Sequence, residues 1–371
     1  MRTLAIVGVV IGLALSSPAQ AQVPSIASSF ELNDGDPNPC MEFACFTTSA
    51  FDGNTLVAVG AEFPSIFVWV RDSAGVWSQQ AVFGHPDPNA PPFNQYLGSL
   101  IALDGDDLVL SGGETGGVLV FHRSGTTWSY VQTLPTADFL DLEDGHLVSS
   151  EGGNFIAYAK GAGGLFRKRA TLKLPRFVDG YLSGPVELDH DTAVIAGGDD
   201  ADGAVFIFQR VLGVWLFVQK LAAPPAAAGG GFGAAVAIDR DRIAVGAPAV
   251  AGLDATRPGV VQTYARRGLR WRPTQLLSNP LPVESDGYAR AFGGVLDLEG
   301  RRLVVSSARP YYPYAPPVTA NYAYELTASG WDLSAALEAG PARVVEVSGS
   351  SVLIDVSLLR LGTAPNIFDL P

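Results

Sequence analysis

The chain repeats itself, and that constrains its fold more than any other feature. One unit reads Gly231-Phe232-Gly233-Ala234-Ala235-Val236-Ala237-Ile238-Asp239, then Arg242-Ile243-Ala244-Val245-Gly246-Ala247-Pro248. It continues through Gly259-Val260-Val261-Gln262-Thr263-Tyr264 to Gly268-Leu269-Arg270-Trp271. Each of seven copies holds a short apolar segment, a tight polar turn, a second apolar strand, an alternating third strand and a fourth strand opened by an aromatic residue. In the second copy these are Ser99 to Leu103, Asp104 to Asp107, Leu108 to Leu110, Val118 to Phe121 and the segment from Trp128.

The acidic turn sets the register. It begins at Asp52, Asp104, Glu143, Asp189, Asp239, Glu299 and, without its acid, Ser348. The steps are 52, 39, 46, 50, 60 and 49 residues. Asp-Gly between two apolar runs is a hairpin signal, because such turns need the positive φ that Gly and Asx tolerate. A second mark, Trp77, Trp128, Phe166, Trp215, Trp271 and Trp331, falls after the third strand. These rings are expected to fill space between neighbouring sheets, with sugar stacking as the alternative. Four strands in about 40–50 residues define a blade. One four-stranded sheet cannot bury both faces alone, but a ring of them can. The expected fold is all-β, a seven-bladed propeller of four-stranded antiparallel blades. The seventh unit stops after three strands. The expectation is that Ser29-Phe30-Glu31-Leu32 supplies its outer strand and closes the ring, the alternative being a linker.

The ends divide the chain into residues 1–21, 22–44 and 45–371. The first piece reads as a secretory signal peptide, with Arg2, an apolar Leu4–Leu15 run and Ala19-Gln20-Ala21 as a cleavage site. That run is too short to span a bilayer, which takes about 20 residues as a helix. A periplasmic or extracellular location follows as an expectation. Cys40 and Cys45 are the only cysteines, and in an exported chain they are expected to form a disulfide in the middle piece. The last piece is the propeller. The 42 Gly and 26 Pro suit many short strands and turns. The strands are too short for a membrane barrel, and no later segment is apolar enough to cross as a helix. A net charge of −13 argues against nucleic acid or an anionic membrane as a partner.

Phe232-Gly233 followed by Gly246-Ala247-Pro248 resembles the FG-GAP repeat, which builds the seven-bladed propeller of integrin α subunits and of many bacterial exported proteins. Phe292-Gly293, Val59-Gly60-Ala61 and Ala196-Gly197-Gly198 are fragments of the same words. The resemblance covers roughly residues 45–360 and implies the fold without a function. Calcium-binding members carry an Asp-x-Asp-x-Asp-Gly loop between the first two strands. Here that connection is a short turn such as Asp239-Arg240-Asp241-Arg242, where arginine repels a cation. No cofactor is expected. One acidic run, Asp199, Asp200 and Asp202, is a weak metal candidate whose plain reading is a hairpin tip.

Connections of strands two to three and of blade to blade emerge on one face, and they are the long ones: 84–96, 222–230, 248–258, 279–290 and 309–319. Loops on a rigid scaffold carry binding. Phe93, Tyr96, Tyr311, Tyr312 and Tyr314 are the binding candidates on this rim, the alternative being that they pack on the blades. His85, His122, His146 and His190 lie in different units with no triad or ligand spacing, and no Gly-x-Ser-x-Gly elbow occurs. The turn carboxylates recur once per unit and read as structural. The expected function is therefore an exported binding module for a protein or glycan, engaged at the long-loop rim without catalysis. The alternatives are a propeller enzyme acting on polysaccharide, with carboxylates from different blades in a central pocket, and a structural envelope component.

Overall fold

The computed structural model describes residues 46–60, 65–89, 97–113, 116–198, 202–248, 259–280, 291–308, 320–337, 344–355 and 366–369. The first sheet runs β1 (Phe46–Asp52), β2 (Thr55–Gly60), β3 (Ser65–Arg71) and β4 (Trp77–Gly84), each hydrogen-bonded to the next. The same order recurs in five more antiparallel sheets. Their innermost strands are β5 (Leu97–Asp104), β9 (Leu140–Glu143), β13 (Tyr181–Asp189), β17 (Ala235–Asp239) and β21 (Ala291–Glu299). The last unit, β25 (Val344–Ser348), β26 (Ser351–Asp355) and β27 (Asn366–Asp369), is a three-stranded sheet.

Six four-stranded blades therefore stand where seven were expected. The last unit has no fourth strand among the described residues. The proposed closing strand Ser29 to Leu32 lies outside the described residues, as do Cys40 and Cys45.

Second strands are buried on both faces, so they read as unbroken apolar runs. Leu56, Val57, Ala58 and Val59 of β2 are all fully buried. Successive sheets share an apolar layer at each interface. Val57, Val59 and Ile66 meet Leu97, Leu108 and Trp128, and Leu353 of the last sheet packs with Phe51, Leu56 and Trp69 of the first. No described helix is long and apolar enough to cross a membrane.

Three kinds of polar tie join neighbouring sheets. In the first, the side chain at the acidic turn accepts from a backbone N–H in the next sheet's turn. Gly105 donates to Asp52 (2.6 Å), Gly145 to Asp104 (3.3 Å), Arg240 to Asp189 (2.6 Å) and Gly300 to Asp239 (2.8 Å). Gly349 donates to Glu299 (2.5 Å), and Gly53 donates to Ser348 Oγ (2.9 Å). Among the described residues, Glu143 makes no such tie. In the second, an outer-strand glutamine grips the aromatic residue that opens the next outer strand. Gln132 holds Phe166, Gln219 holds Trp271, and Gln275 holds Trp331, each through both amide atoms. In the third, a cation at the end of a third strand reaches the first residue of the preceding sheet's second strand. Arg123 bonds Thr55, Lys160 bonds Asp107, and Arg71 bonds Ser351.

The Phe-Gly and Gly-Ala-Pro words meet at one such interface. Phe292 is fully buried, which is worth about 1.5–3 kcal/mol. Beside it Gly293 adopts φ +87, and a Cβ on Gly246 of the preceding sheet would stand 1.9 Å from the Gly293 carbonyl oxygen. Two backbones touch here, and only glycine permits that approach.

Candidate functional site

Strand alternation puts every second residue of an inner strand on the same face of its sheet. The turn acids occupy one such position, and the residues two before them occupy another. At that second position three sheets carry alanine, namely Ala50, Ala102 and Ala237, and four carry acids: Asp141, Glu187, Asp297 and Glu346. The four acids, with Ala50 and Ala102, line a central cavity of about 630 Å³ that also takes in Asp104, Glu143, Asp189 and His190.

Most of these carboxyls are committed to the scaffold. Asp141 accepts from Leu188 N–H (2.6 Å) and Leu142 N–H (2.8 Å). Asp297 accepts from Val347 N–H (2.6 Å) and Leu298 N–H (2.7 Å). Glu346 accepts from Phe51 N–H, across the junction of the last and first sheets. Glu187 and Glu143 differ, since neither has a hydrogen-bond partner among the described residues.

The electrostatics follow from enclosure and like charge. Burial raises the Glu187 carboxyl well above the ordinary carboxylate range, and Asp141, Asp297 and Glu346 raise it further. Burial pushes Glu143 up to about 8, with Asp104, Asp141, Asp144 and Asp189 adding to it. Asp141 and Asp297 are raised to about 6 by burial, held back by the amides they accept from. At neutral pH the cavity therefore mixes neutral carboxyls, which donate and accept, with carboxylates, which only accept.

At the turn end of the cavity, Glu143, Asp189 and His190 place ligand atoms within 4.8 Å of one another. His190 Nδ1 lies 2.7 Å from Asp189 Oδ1, and this contact raises the imidazole pKa. The spacing of His190 gave no hint of this meeting, because its partner Glu143 belongs to another unit. The other histidines serve locally. His122 pairs with Asp107, His146 faces Arg210, and His85 accepts from the Asp87 amide.

Phe93, Tyr96, Tyr311, Tyr312 and Tyr314 lie outside the described residues, as do Asp199 and Asp200. Asp202 accepts from Gly229 N–H at 2.6 Å, a loop-bracing contact. The aromatic marks are packing residues: Trp128, Phe166, Trp271 and Trp331 are buried. The cavity acids were missed as a group, although Asp141-Leu142-Glu143, Glu187-Leu188-Asp189 and Asp297-Leu298-Glu299 place two acids at a strand's inward spacing.

The FG-GAP repeat family model matches residues 215–264, from the outer strand of one blade to the third strand of the next. No curated protein matches the sequence. Solved structures that resemble the fold include Hsv2 of Kluyveromyces lactis, with a TM-score of 0.55 at 10% identity over 90% of this chain and 94% of that one. A protein from Lactobacillus plantarum gives 0.54 at 14% over 88% and 96%. The periplasmic gluconolactonase PpgL of Pseudomonas aeruginosa gives 0.53 at 16% over 86% and 99%. At these identities the likeness concerns the fold. The chain is a β-propeller of four-stranded antiparallel blades carrying an FG-GAP repeat.

Proposed function

We propose that this chain is an exported propeller that binds the end of a glycan in its central cavity. The observation that carries the reading is the pair Glu143 and Glu187, the two cavity carboxyls that the scaffold leaves unengaged. A polyol presents hydroxyls that both donate and accept. A cavity holding neutral and ionised carboxyls matches that need on both counts. Its acidity disfavours phosphorylated or uronic ligands, which leaves neutral and amino sugars. A protein or glycan held at the long-loop rim by Phe93, Tyr96, Tyr311, Tyr312 and Tyr314 is the other form of the binding reading.

The test is a glycan panel followed by calorimetric titration of whatever binds. Glu187→Leu is expected to weaken binding about tenfold or more, the scale of a lost hydrogen bond to a charged or polar partner, without lowering the melting temperature. Unchanged affinity in that variant would move the site to the rim.

A hydrolytic reading has one observation in its favour. Burial raises the Glu187 carboxyl beside Asp141 and Asp297, and carboxyls whose environments drive their pKa values apart make acid and base partners. The gluconolactonase among the fold neighbours adds no weight at 16% identity. Turnover of a bound glycan that Glu187→Gln abolishes would establish this reading over simple binding.

A further inference from the structure

The face carrying the short turns presents the third-to-fourth-strand hairpin of each blade, and most of these tips are small and polar. They read Ala74-Gly75, Gly125-Thr126, Ala162-Gly163 and Ala328-Ser329, although Val76 beside the first is itself 60% exposed. Two neighbouring blades break the pattern. Between β15 (Ala204–Val211) and β16 (Val214–Ala222), Leu212 stands at the apex with 99% of its surface exposed. Val211, Val214 and Leu216 extend the apolar surface around it, at 47%, 57% and 49%. In the next blade, between β19 (Val260–Arg267) and β20 (Arg270–Ser278), Leu269 is 73% exposed. The two outer strands adjoin through the Gln219–Trp271 tie.

The charges around these tips that have no ion-pair partner among the described residues are basic. Arg267 and Arg270 flank Leu269, and Arg272 follows on the same strand; all three are exposed and have no ion-pair partner among the described residues. Two acids in the turns of these blades are engaged: Asp241 with Arg242 and Asp191 with Arg210. This sector is basic on a chain whose net charge is −13, so the average charge conceals it.

We infer that the Leu212 and Leu269 tips dock this face on an anionic lipid bilayer, the leucines entering the interface and Arg267, Arg270 and Arg272 meeting lipid phosphates. Apolar apices backed by arginine match that interface in both polarity and charge. Arginine can keep its guanidinium at headgroup level while its stem lies along apolar surface. A protein partner would need a recess shaped for two separate protruding points, whereas a bilayer accepts them without one. The inference stands apart from the glycan reading, which concerns the cavity.

The test is co-sedimentation of the full chain with vesicles of equimolar phosphatidylcholine and phosphatidylserine, and with phosphatidylcholine alone. Binding to the mixed vesicles is expected, with little to the neutral ones and a marked loss at high salt. Leu212→Gly removes the apex at a left-handed position (φ 51) that Gly125 and Gly268 fill at other tips (φ 64 and 62), so the fold tolerates it. That variant is expected to melt no lower than the parent and to bind the mixed vesicles about tenfold more weakly, the scale of one large apolar side chain leaving the interface. Arg267→Ser with Arg270→Ser is expected to lose both affinity and most of the salt dependence. Failure of the parent to sediment with mixed vesicles, or equal binding by parent and Leu212→Gly, would overturn the inference. So would capture of a soluble protein through Leu212 without vesicle binding.

Discussion

Gln275 holds Trp331 across a blade boundary with both ends of its amide: Nε2 donates to the Trp331 carbonyl at 2.9 Å, and the Trp331 N–H donates to Oε1 at 2.7 Å. The grip fixes the height of one blade against the next while the indole packs beneath. Gln275→Ala should cost about 1–3 kcal/mol, because it leaves half-buried backbone groups without their partner. Denaturant unfolding measures this, and a loss below about 0.5 kcal/mol would mean that the tie is incidental.

Contact between the backbones at Gly246 and Gly293 is a harder constraint. Gly246→Ala places a methyl group 1.9 Å from a carbonyl oxygen. The blades must separate to admit it, and a destabilisation of about 3 kcal/mol or more is expected. A melting temperature equal to the parent's would contradict the packing described.

The cavity acids give stability an unusual pH dependence. Glu143 rises from 4.5 to about 8, and Asp141 and Asp297 from 3.8 to about 6. Their folded pKa values exceed the unfolded ones, so the folded state binds more protons in that window and stability falls as pH rises through it. The melting temperature should be highest near the acid end, decline from about pH 4 to about pH 8, and then level off. Glu187→Gln removes one buried charge at nearly constant volume, so it should raise the melting temperature at alkaline pH and flatten the decline. A melting temperature that climbs between pH 5 and 8 would refute the raised values.

Asn321 is fully buried, and neither of its amide atoms has a hydrogen-bond partner among the described residues; Ser306 Oγ, on the residue paired with it across the sheet, has none either. Such groups are costly to bury alone, and replacing both by apolar groups is close to neutral or stabilising. Asn321→Leu with Ser306→Ala should leave the melting temperature equal or higher. A drop would reveal a bridging molecule that satisfies them.

The repeat was legible because its marks are local. Asp239, Gly300 and Trp271 each sit at a turn or strand start whose chemistry a short window reveals, and the strand boundaries followed from them. Phe232-Gly233 and Gly246-Ala247 were legible as words, but their meaning, two backbones in contact, needed the neighbouring blade. Every turn acid except Glu143 makes a structural tie, and the partners lie in the next sheet, 41 to 61 residues away. The cavity escaped for the same reason. Nothing in the window around Glu187 shows that Asp141, Asp297 and Glu346 face it from other sheets, and only the i−2 spacing from the turn acids could have hinted at it. The seventh unit shows three strands, and the outer strand expected from Ser29 to Leu32 lies outside the described residues.

Difference infrared spectroscopy of the ligand-free protein at pH 7, parent minus Glu187→Gln, tests the account most directly. A protonated-carboxyl band that disappears in the variant is expected, the signature of a neutral acid standing unengaged among the carboxylates of the central cavity. A difference spectrum showing only carboxylate bands would place Glu187 in an ordinary solvated or paired environment and remove the basis for the site.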